Sequence, residues 1–387
     1  MEGTVSEAAV MSYVAETADD SEFMLVDIGC SGGIDRVWRG FGPRLRAVAI
    51  DPHLSEIERL RAIESHPGIE YIAAFANVPP QHPFAIRKGN RNHWAHNPWN
   101  RLSIARSREI LKTQAFSYAQ NTAATFSPEM ELANSTKSIV VPDYLRAQGI
   151  KCVDFLKIDI DGKDFEVLNS FDSALNDFAV LALGLEVNFF GSDTDTDHTF
   201  HNTDRFLKAR GYELFNLNIQ RYSAAALPFT FSAQSQVGRP IQGDALYVRD
   251  LPNREYSALA EHLPTARLLN LVCIFAAFNL PDCAAELALC YRDRISKCCD
   301  VDHVLDLLAA QAQGHVNNPL TYAEYMERAE THEFLCRSAT MTVADRDAAS
   351  EIRKELESLR AVLRNIEGSK FWKLRRAWVN LKSVMGW

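Results

Sequence analysis

Between Phe23 and about Asp250 the chain alternates short apolar runs with amphipathic stretches. Few folds accommodate that pattern. FMLVDI, LRAVAI, IEYIAA, VDFLKI, AVLALGLEV, YELFNL and ALYVRD are rich in branched aliphatic and aromatic residues. Several are bounded by Gly, Pro, Asn or Asp, the signature of strands. Between them lie helical patterns at Ile57–Ile63, Phe165–Phe171 and Thr203–Arg210. Strands that are apolar nearly throughout are covered on both faces, which implies a mostly parallel sheet sandwiched by helices. Residues 21–250 are therefore expected to form one α/β domain, preceded by a short helix within residues 1–20.

Residues 79–137 break the alternation. They contain NHWAHNPWNR and then a helical run from Arg106 to Asn121. A long connection inside a compact domain is usually a lid, a binding loop or an inserted subdomain. After Asp250 the pattern turns helical, at Arg254–Leu263, Leu268–Leu280, Asp282–Lys297 and Asp300–Gln313. Residues 251–344 thus read as an all-helical appendage. In residues 345–387, Ile352, Leu356, Leu359, Leu363 and Ile366 step by 4, 3, 4 and 3, a coiled-coil-like seam. The tail from Gly368 carries Lys370, Lys373, Arg375, Arg376 and Lys382, no acid, and three of the chain's six tryptophans. On an amphipathic helix this suits an anionic membrane surface. It equally suits a partner or homodimer helix with its charges solvated.

A composition of 47% hydrophobic and 24% charged residues excludes disordered, collagen-like and rod-like chains. A formal net charge of -9 excludes nucleic-acid binding by bulk charge. The amino terminus has no basic region followed by an apolar one, so no signal peptide is expected. Leu268–Leu280 is too short to span a bilayer. The eight cysteines form no C-x-x-C pair, so neither a zinc knuckle nor a disulfide framework is suggested. They read as small apolar side chains in a reducing cytoplasm.

The first strand runs into Asp27-Ile28-Gly29-Cys30-Ser31-Gly32-Gly33. A glycine-rich turn there lets backbone approach a nucleotide-like ligand. It is not G-x-G-x-x-G, because position 31 is Ser, and no G-x-x-x-x-G-K-[ST] occurs. The acid two residues before Gly29 can face the ammonium of a bound amino-acid moiety, which favours S-adenosylmethionine over NAD. The second strand ends in Asp51-Pro52-His53, and an acid at that place typically takes ribose hydroxyls. His53 can lie over the ribose or adenine. The fourth strand gives Lys157-Ile158-Asp159-Ile160-Asp161, whose alternate residues share a face. Asp159 and Asp161 can supply a general base or hold a divalent cation. Alternatively, Asp161 caps the next helix and Lys157 forms a salt bridge. Glu186 interrupts an apolar strand end, which is costly unless it is paired or used.

These residues resemble the FkbM-type methyltransferases. DIGCSGG is similar to that family's D-x-G-A-N-x-G turn, IDPH to its [VI]-E/D-P, and FLKIDIDGKDFEVLNSF to its L-K-I-D-x-E-G-x-E-x-x-V-L-x-G. Ser31 stands where Asn is usual, and Asp161 and Asp164 where Glu is usual. The resemblance spans residues 21–250. It implies a class I (Rossmann-like) methyltransferase fold, a seven-stranded, mostly parallel sheet whose last strand is antiparallel. It also implies O-methylation of a hydroxyl on a sugar, glycan or glycolipid precursor. Asp27, Gly29, Cys30, Ser31, Gly33, Asp51, Pro52 and His53 would then hold S-adenosylmethionine. The tail resembles carboxyl-terminal stretches of cell-envelope glycan enzymes, which points to a cytoplasmic enzyme placed at the inner face of the membrane.

His93 and His96 flank Trp94 in the long connection, with Trp99 close behind. They suit stacking on a sugar and removal of a hydroxyl proton, or a packed lid with surface histidines. The run from Gly191 to His198 alternates acids. It can N-cap the helix near Thr199, or give a calcium-type loop, though His198 stands where such a loop needs Gly. Asp193 and Asp195 as a D-x-D would make the chain a metal-dependent glycosyltransferase. A third reading is a non-catalytic scaffold on a degenerate methyltransferase fold.

Overall fold

The computed structural model describes residues 5–17, 22–82, 137–160, 163–191, 194–222, 239–314 and 318–330. Asp161, His93, His96, Trp94, Asp193, the heptad seam and the basic tail lie outside the described residues. The chain divides into two units, residues 1–322 and 323–387. The second is described only to Glu330, in the helix Tyr322–Glu330.

The first unit is built on one eight-stranded sheet. Its strands are β1 (Phe23–Ile28), β2 (Leu45–Asp51), β3 (Ile69–Ala76), β4 (Lys137–Ile139), β5 (Phe155–Ile158), β6 (Ala182–Asn188), β7 (Glu213–Tyr222) and β8 (Arg239–Val248), in the order β4-β3-β2-β1-β5-β6-β8-β7. All neighbours from β4 to β6 are parallel, and β8 runs antiparallel to both β6 and β7. Seven strands follow the expected plan. The eighth, β4, corrects it: Lys137–Ile139 pairs with Ala74–Ala76 at the sheet edge. Its first two residues are exposed, so no apolar run announces it.

Every residue of β1 is buried, because the sheet is covered on both sides. Phe23, Leu25, Ala47, Ala49 and Phe155 join one hydrophobic cluster, and Met24, Val26, Ile28, Val48, Ile50 and Leu156 join the other. This residue-by-residue split is the period-two alternation of strands. Helix α1 (Val5–Thr17) precedes the sheet, and α2 (Leu54–Ile63), α3 (Val141–Ala147), α4 (Asp164–Phe171), α5 (Ala174–Asp177) and α6 (Phe200–Lys208) connect the strands, with a 3-10 segment at Arg36–Arg44. That segment supplies Trp38 and Phe41. Phe41 stacks on Phe23 at 3.8 Å, and Trp38 meets Phe155 at 4.6 Å.

The helices after Asp250 share this core. They are α7 (Ser257–His262), α8 (Thr265–Ala277), α9 (Pro281–Cys290), α10 (Arg292–Ile295) and α11 (Val301–Gln313). Leu268 through Ala276 are all buried, the mark of a helix enclosed on every side. Two buried arginines fix this layer to the sheet. Arg267 Nε donates to Asp154 Oδ1 at 2.9 Å, and Asp154 Oδ2 accepts from Met24 N at 2.8 Å. Arg267 Nη2 donates to the carbonyls of Val153 and Ala179. Arg44 donates to Val14 O and to Asn270 Oδ1. Burying a guanidinium is tolerable when its donors meet acceptors in this way. Among the described residues, no helix is long and apolar enough to cross a membrane.

Candidate active site at the carboxyl edge of the sheet

In open α/β sheets, ligands bind outside the carboxyl ends of the strands. Here that edge is acidic. Asp27 on β1 is in register with Lys157 on β5, and Lys157 with Gly184 on β6. Two residues further along, Asp51 ends β2, Asp159 follows β5, and Glu186 on β6 faces Asp244 on β8. Register partners and alternate residues share a face, so these acids line the same side of the sheet as Phe23 and Phe155.

Asp27 is 2% exposed, and Lys157 Nζ donates to its Oδ1 at 3.2 Å. Lys157 also donates to Gly29 O at 3.1 Å and lies 3.5 Å from Asp159 Oδ2. Burial pushes the Asp27 carboxyl up to about 6, against the pull of Lys157. Burial opposes the charge of Lys157, but Asp27 and Asp159 outweigh it and hold the ammonium above its ordinary value. The cation beside Asp27 in this structure is therefore the chain's own.

The glycine-rich turn is closed on itself. Gly29 N donates to Ile50 O at 2.8 Å, Cys30 N to the same oxygen at 3.3 Å, and Gly33 N to Cys30 O at 2.8 Å. Gly32 N donates to Glu56 Oε1 at 3.0 Å. Four amides of the turn are thus already used, so it offers a poor nest for a phosphate. Gly29 has φ +93°, and a Cβ there would lie 1.7 Å from Asp159 O. Glycine is required by that carbonyl, whatever the ligand. The Cys30 side chain belongs to the core, and burial, with Asp27 and Asp51 adding, pushes its thiol above the ordinary range.

Asp51 is 4% exposed, and its Oδ1 accepts from His53 N at 2.9 Å. Burial raises its carboxyl above the ordinary value despite that bond. Pro52 and His53 are half-buried beside it, and His53 opens α2 without a side-chain cap. Ser31 is likewise half-buried. The structure therefore brings Asp27, Gly29, Cys30, Ser31, Gly33, Asp51, Pro52, His53 and Asp159 to one edge.

Beyond β6 the sequence reading missed a buried group. His198 is 3% exposed, and its Nε2 lies 2.9 Å from Glu186 O. Its Nδ1 lies 3.2 Å from Asn188 Nδ2 and 3.5 Å from Asp164 Oδ2. Gln242 Nε2 reaches Glu186 Oε2 at 3.4 Å. Thr199 is the N-cap residue of α6 and makes no side-chain cap bond. Asp204, on α6, accepts from Tyr247 Oη at 3.2 Å. Among the described residues, no group of three or more His, Cys, Asp or Glu is arranged to hold a metal.

A family model for the methyltransferase FkbM domain matches residues 56–214. The span opens just after Asp51 and includes Asp159, Asp161, Glu186, His93 and His96. No curated protein matches the chain. Solved structures with similarity include a SAM-dependent methyltransferase from Aquifex aeolicus, 11% identical, covering 60% of this chain and 91% of its own, with TM-score 0.27. TYW2 of M. jannaschii, solved with AdoMet, is 8% identical over 64% of this chain and 78% of its own, with TM-score 0.26. Precorrin-6y C5,15-methyltransferase from Geobacter metallireducens is 10% identical over 62% and 86%, with TM-score 0.26.

Proposed function

We propose, from the match of residues 56–214 to the methyltransferase FkbM domain, that the chain is an S-adenosylmethionine-dependent O-methyltransferase acting on a hydroxyl of a sugar, glycan or glycolipid precursor. The observation that carries the cofactor assignment is Asp51: a buried carboxylate at the end of β2 with one oxygen engaged by His53 N, beside a turn whose amides are already used. That donor set suits a diol and discourages a pyrophosphate. Buried Asp27 and Asp51, with Asp159 close by, favour a cationic ligand over an anionic one.

When bound, the cofactor supplies an electrophilic methyl on a sulfonium. Asp51 would hold the ribose hydroxyls, with Pro52 and His53 beside the adenosine, and the turn from Gly29 to Gly33 would set the cofactor's depth. Lys157 fixes that turn through Gly29 O. Asp159, whose side chain is 43% exposed, would take the hydroxyl proton on the oxygen turned away from Lys157. Asp161, His93 and His96 are further candidates for that role. Correct placement of the acceptor oxygen can supply much of the rate, since a well-oriented pair is worth roughly 7–11 kcal/mol. The basic tail would place the enzyme at an anionic membrane or pair it with a second copy.

The test is calorimetric titration with S-adenosylhomocysteine, of the wild type and an Asp51→Ala variant, with a nucleotide-sugar control. Saturable binding that Asp51→Ala loses supports the assignment. Binding of the nucleotide-sugar alone defeats it in favour of glycosyl transfer, and binding of neither ligand favours the scaffold.

A further inference from the structure

The glycine-rich turn satisfies its amides in two different ways. Gly29 N, Cys30 N and Gly33 N donate to backbone carbonyls, Ile50 O for the first two and Cys30 O for the third. Those bonds belong to the fold, and a ligand takes them only by unpairing the backbone. Gly32 N donates instead to a side chain, Glu56 Oε1 at 3.0 Å, on α2. Gly32 is exposed, so water would satisfy its amide if Glu56 stood elsewhere. Glu56 does not depend on the turn either. Arg59 Nη2 donates to Glu56 Oε1 at 2.6 Å, and Arg59 Nε donates to Oε2 at 2.7 Å. A Glu56 carboxylate that lifts off Gly32 N therefore keeps its cation. The Arg59 bonds, with Gly32 N adding, hold the Glu56 carboxyl below its ordinary value. The same charge reaches the ligand side of the edge: burial raises the Asp51 carboxyl, and Glu56 adds to it.

We propose that Glu56 is a specificity-determining residue: it plugs the one displaceable amide among these four, so a ligand's carboxylate gains Gly32 N only by displacing it. The proposal rests on the S-adenosylmethionine reading for the identity of that ligand, whose amino-acid end carries a carboxylate. A single amide suits one carboxylate oxygen, whereas phosphate groups are cradled by several backbone amides together. The plug weakens binding of a nucleoside that brings a carboxylate to the turn. It leaves a nucleoside without one untouched. Its removal costs the fold little, because both partners have replacements: water for the exposed amide, and Arg59 for the carboxylate.

The test is calorimetry on the full-length protein with S-adenosylhomocysteine and with methylthioadenosine, an adenosine thioether that lacks the amino-acid end. Glu56→Gln keeps an acceptor oxygen for Gly32 N, and Glu56→Ala removes it. Expected in Glu56→Ala is a gain in S-adenosylhomocysteine affinity of roughly 3- to 10-fold, the worth of one hydrogen bond, with a smaller gain in Glu56→Gln. Methylthioadenosine affinity should stay within about twofold in both variants. Equal gains in the two variants would mean charge repulsion through space and overturn the plug. A loss of S-adenosylhomocysteine affinity in Glu56→Ala, or a matching gain for methylthioadenosine, overturns it too. Acetate titrated into protein carrying nitrogen-labelled glycine gives a readout independent of the cofactor. The Gly32 amide signal should move with acetate in Glu56→Ala and far less in the wild type. An equal response in both, or none in either, overturns the proposal. If the wild type binds neither nucleoside, the cofactor assignment fails and the acetate titration alone judges Glu56.

Discussion

Lys157 Nζ reaches Asp27 Oδ1 at 3.2 Å, joining residues 130 apart in sequence at the heart of the candidate site. Asp27 is nearly inaccessible, yet it titrates near 6 rather than at its ordinary 3.8. Between those values the folded state holds more protons than the unfolded one, so stability at this site falls as pH rises. The shift corresponds to about 3 kcal/mol, fully developed above pH 6. Asp27→Asn should flatten that part of the profile. Urea unfolding of both proteins at pH 4, 5, 6 and 7 measures the difference. A constant difference across the series would contradict the assignment.

Glu64 makes the opposite case. Arg39 Nη2 donates to its Oε2 at 2.7 Å, and His66 N and Tyr71 Oη add further bonds. The Arg39 bond, against some loss of solvent, holds the Glu64 carboxyl at about 2. Its stabilisation is present above its ordinary value of 4.5 and is lost as pH falls toward 2. Arg39 is 41% exposed, so solvent screening limits the pair to about 1 kcal/mol. Glu64→Gln is expected to lower the urea midpoint at pH 6 and to leave it unchanged at pH 2.

Gly29→Ala should be among the most damaging single changes in the sheet. Its φ is +93°, and the new methyl would collide with Asp159 O at 1.7 Å. Backbone has to move, so a loss of about 3 kcal/mol or more is expected. Gly42→Ala is the matched comparison: φ +52° with nothing within 4 Å of the added carbon. With ψ −134° it lies in a region left almost to glycine, so the cost there is backbone conformation alone, about 1–3 kcal/mol. The difference between the thermal midpoints of the two variants measures what the close approach at Gly29 adds.

Arg267→Met removes one partner of a pair whose side chains are 8% and 1% exposed. The Asp154 carboxylate would be left buried without its cation, which costs about 3–5 kcal/mol. Adding Asp154→Asn removes that stranded charge while keeping an acceptor for Met24 N. The double variant should therefore be more stable than Arg267→Met by chemical denaturation. If it is less stable, the carboxylate's bond to Met24 N outweighs the cost of the stranded charge.

Much of this architecture was legible because burial on two faces writes itself into composition. The runs at β1, β2, β5 and β6 are apolar nearly throughout, and α11 follows an Asp whose side chain accepts from Asp302 N and His303 N. Lys137–Ile139 left no such mark, since a short edge strand with two exposed residues needs no apolar run. Site placement was legible in part. A strand-end acid and a glycine turn identify the edge, but local sequence does not reveal that Gly29 is required by Asp159 O. Nor does it reveal that Asp27 already has a cation. His198 was obscured by its neighbours, because a histidine in an acidic loop looks the same whether solvated or enclosed. Its contacts come from β6 and α4, which sequence spacing does not bring together.

The covering of one sheet face by α8 to α11 also sets an order of events during synthesis. Phe23 and Phe155 pack early on Phe41 and Trp38, but the cluster they share with Leu25 is complete only once residues through Leu308 have been made, well after the last strand ends at Val248. At ~5–20 residues per second, the nascent chain carries an open, strongly apolar surface for several seconds. A ribosome-bound chain stopped near Asp250 would thus be a substrate for chaperones rather than a folded enzyme, even though the matched domain is complete.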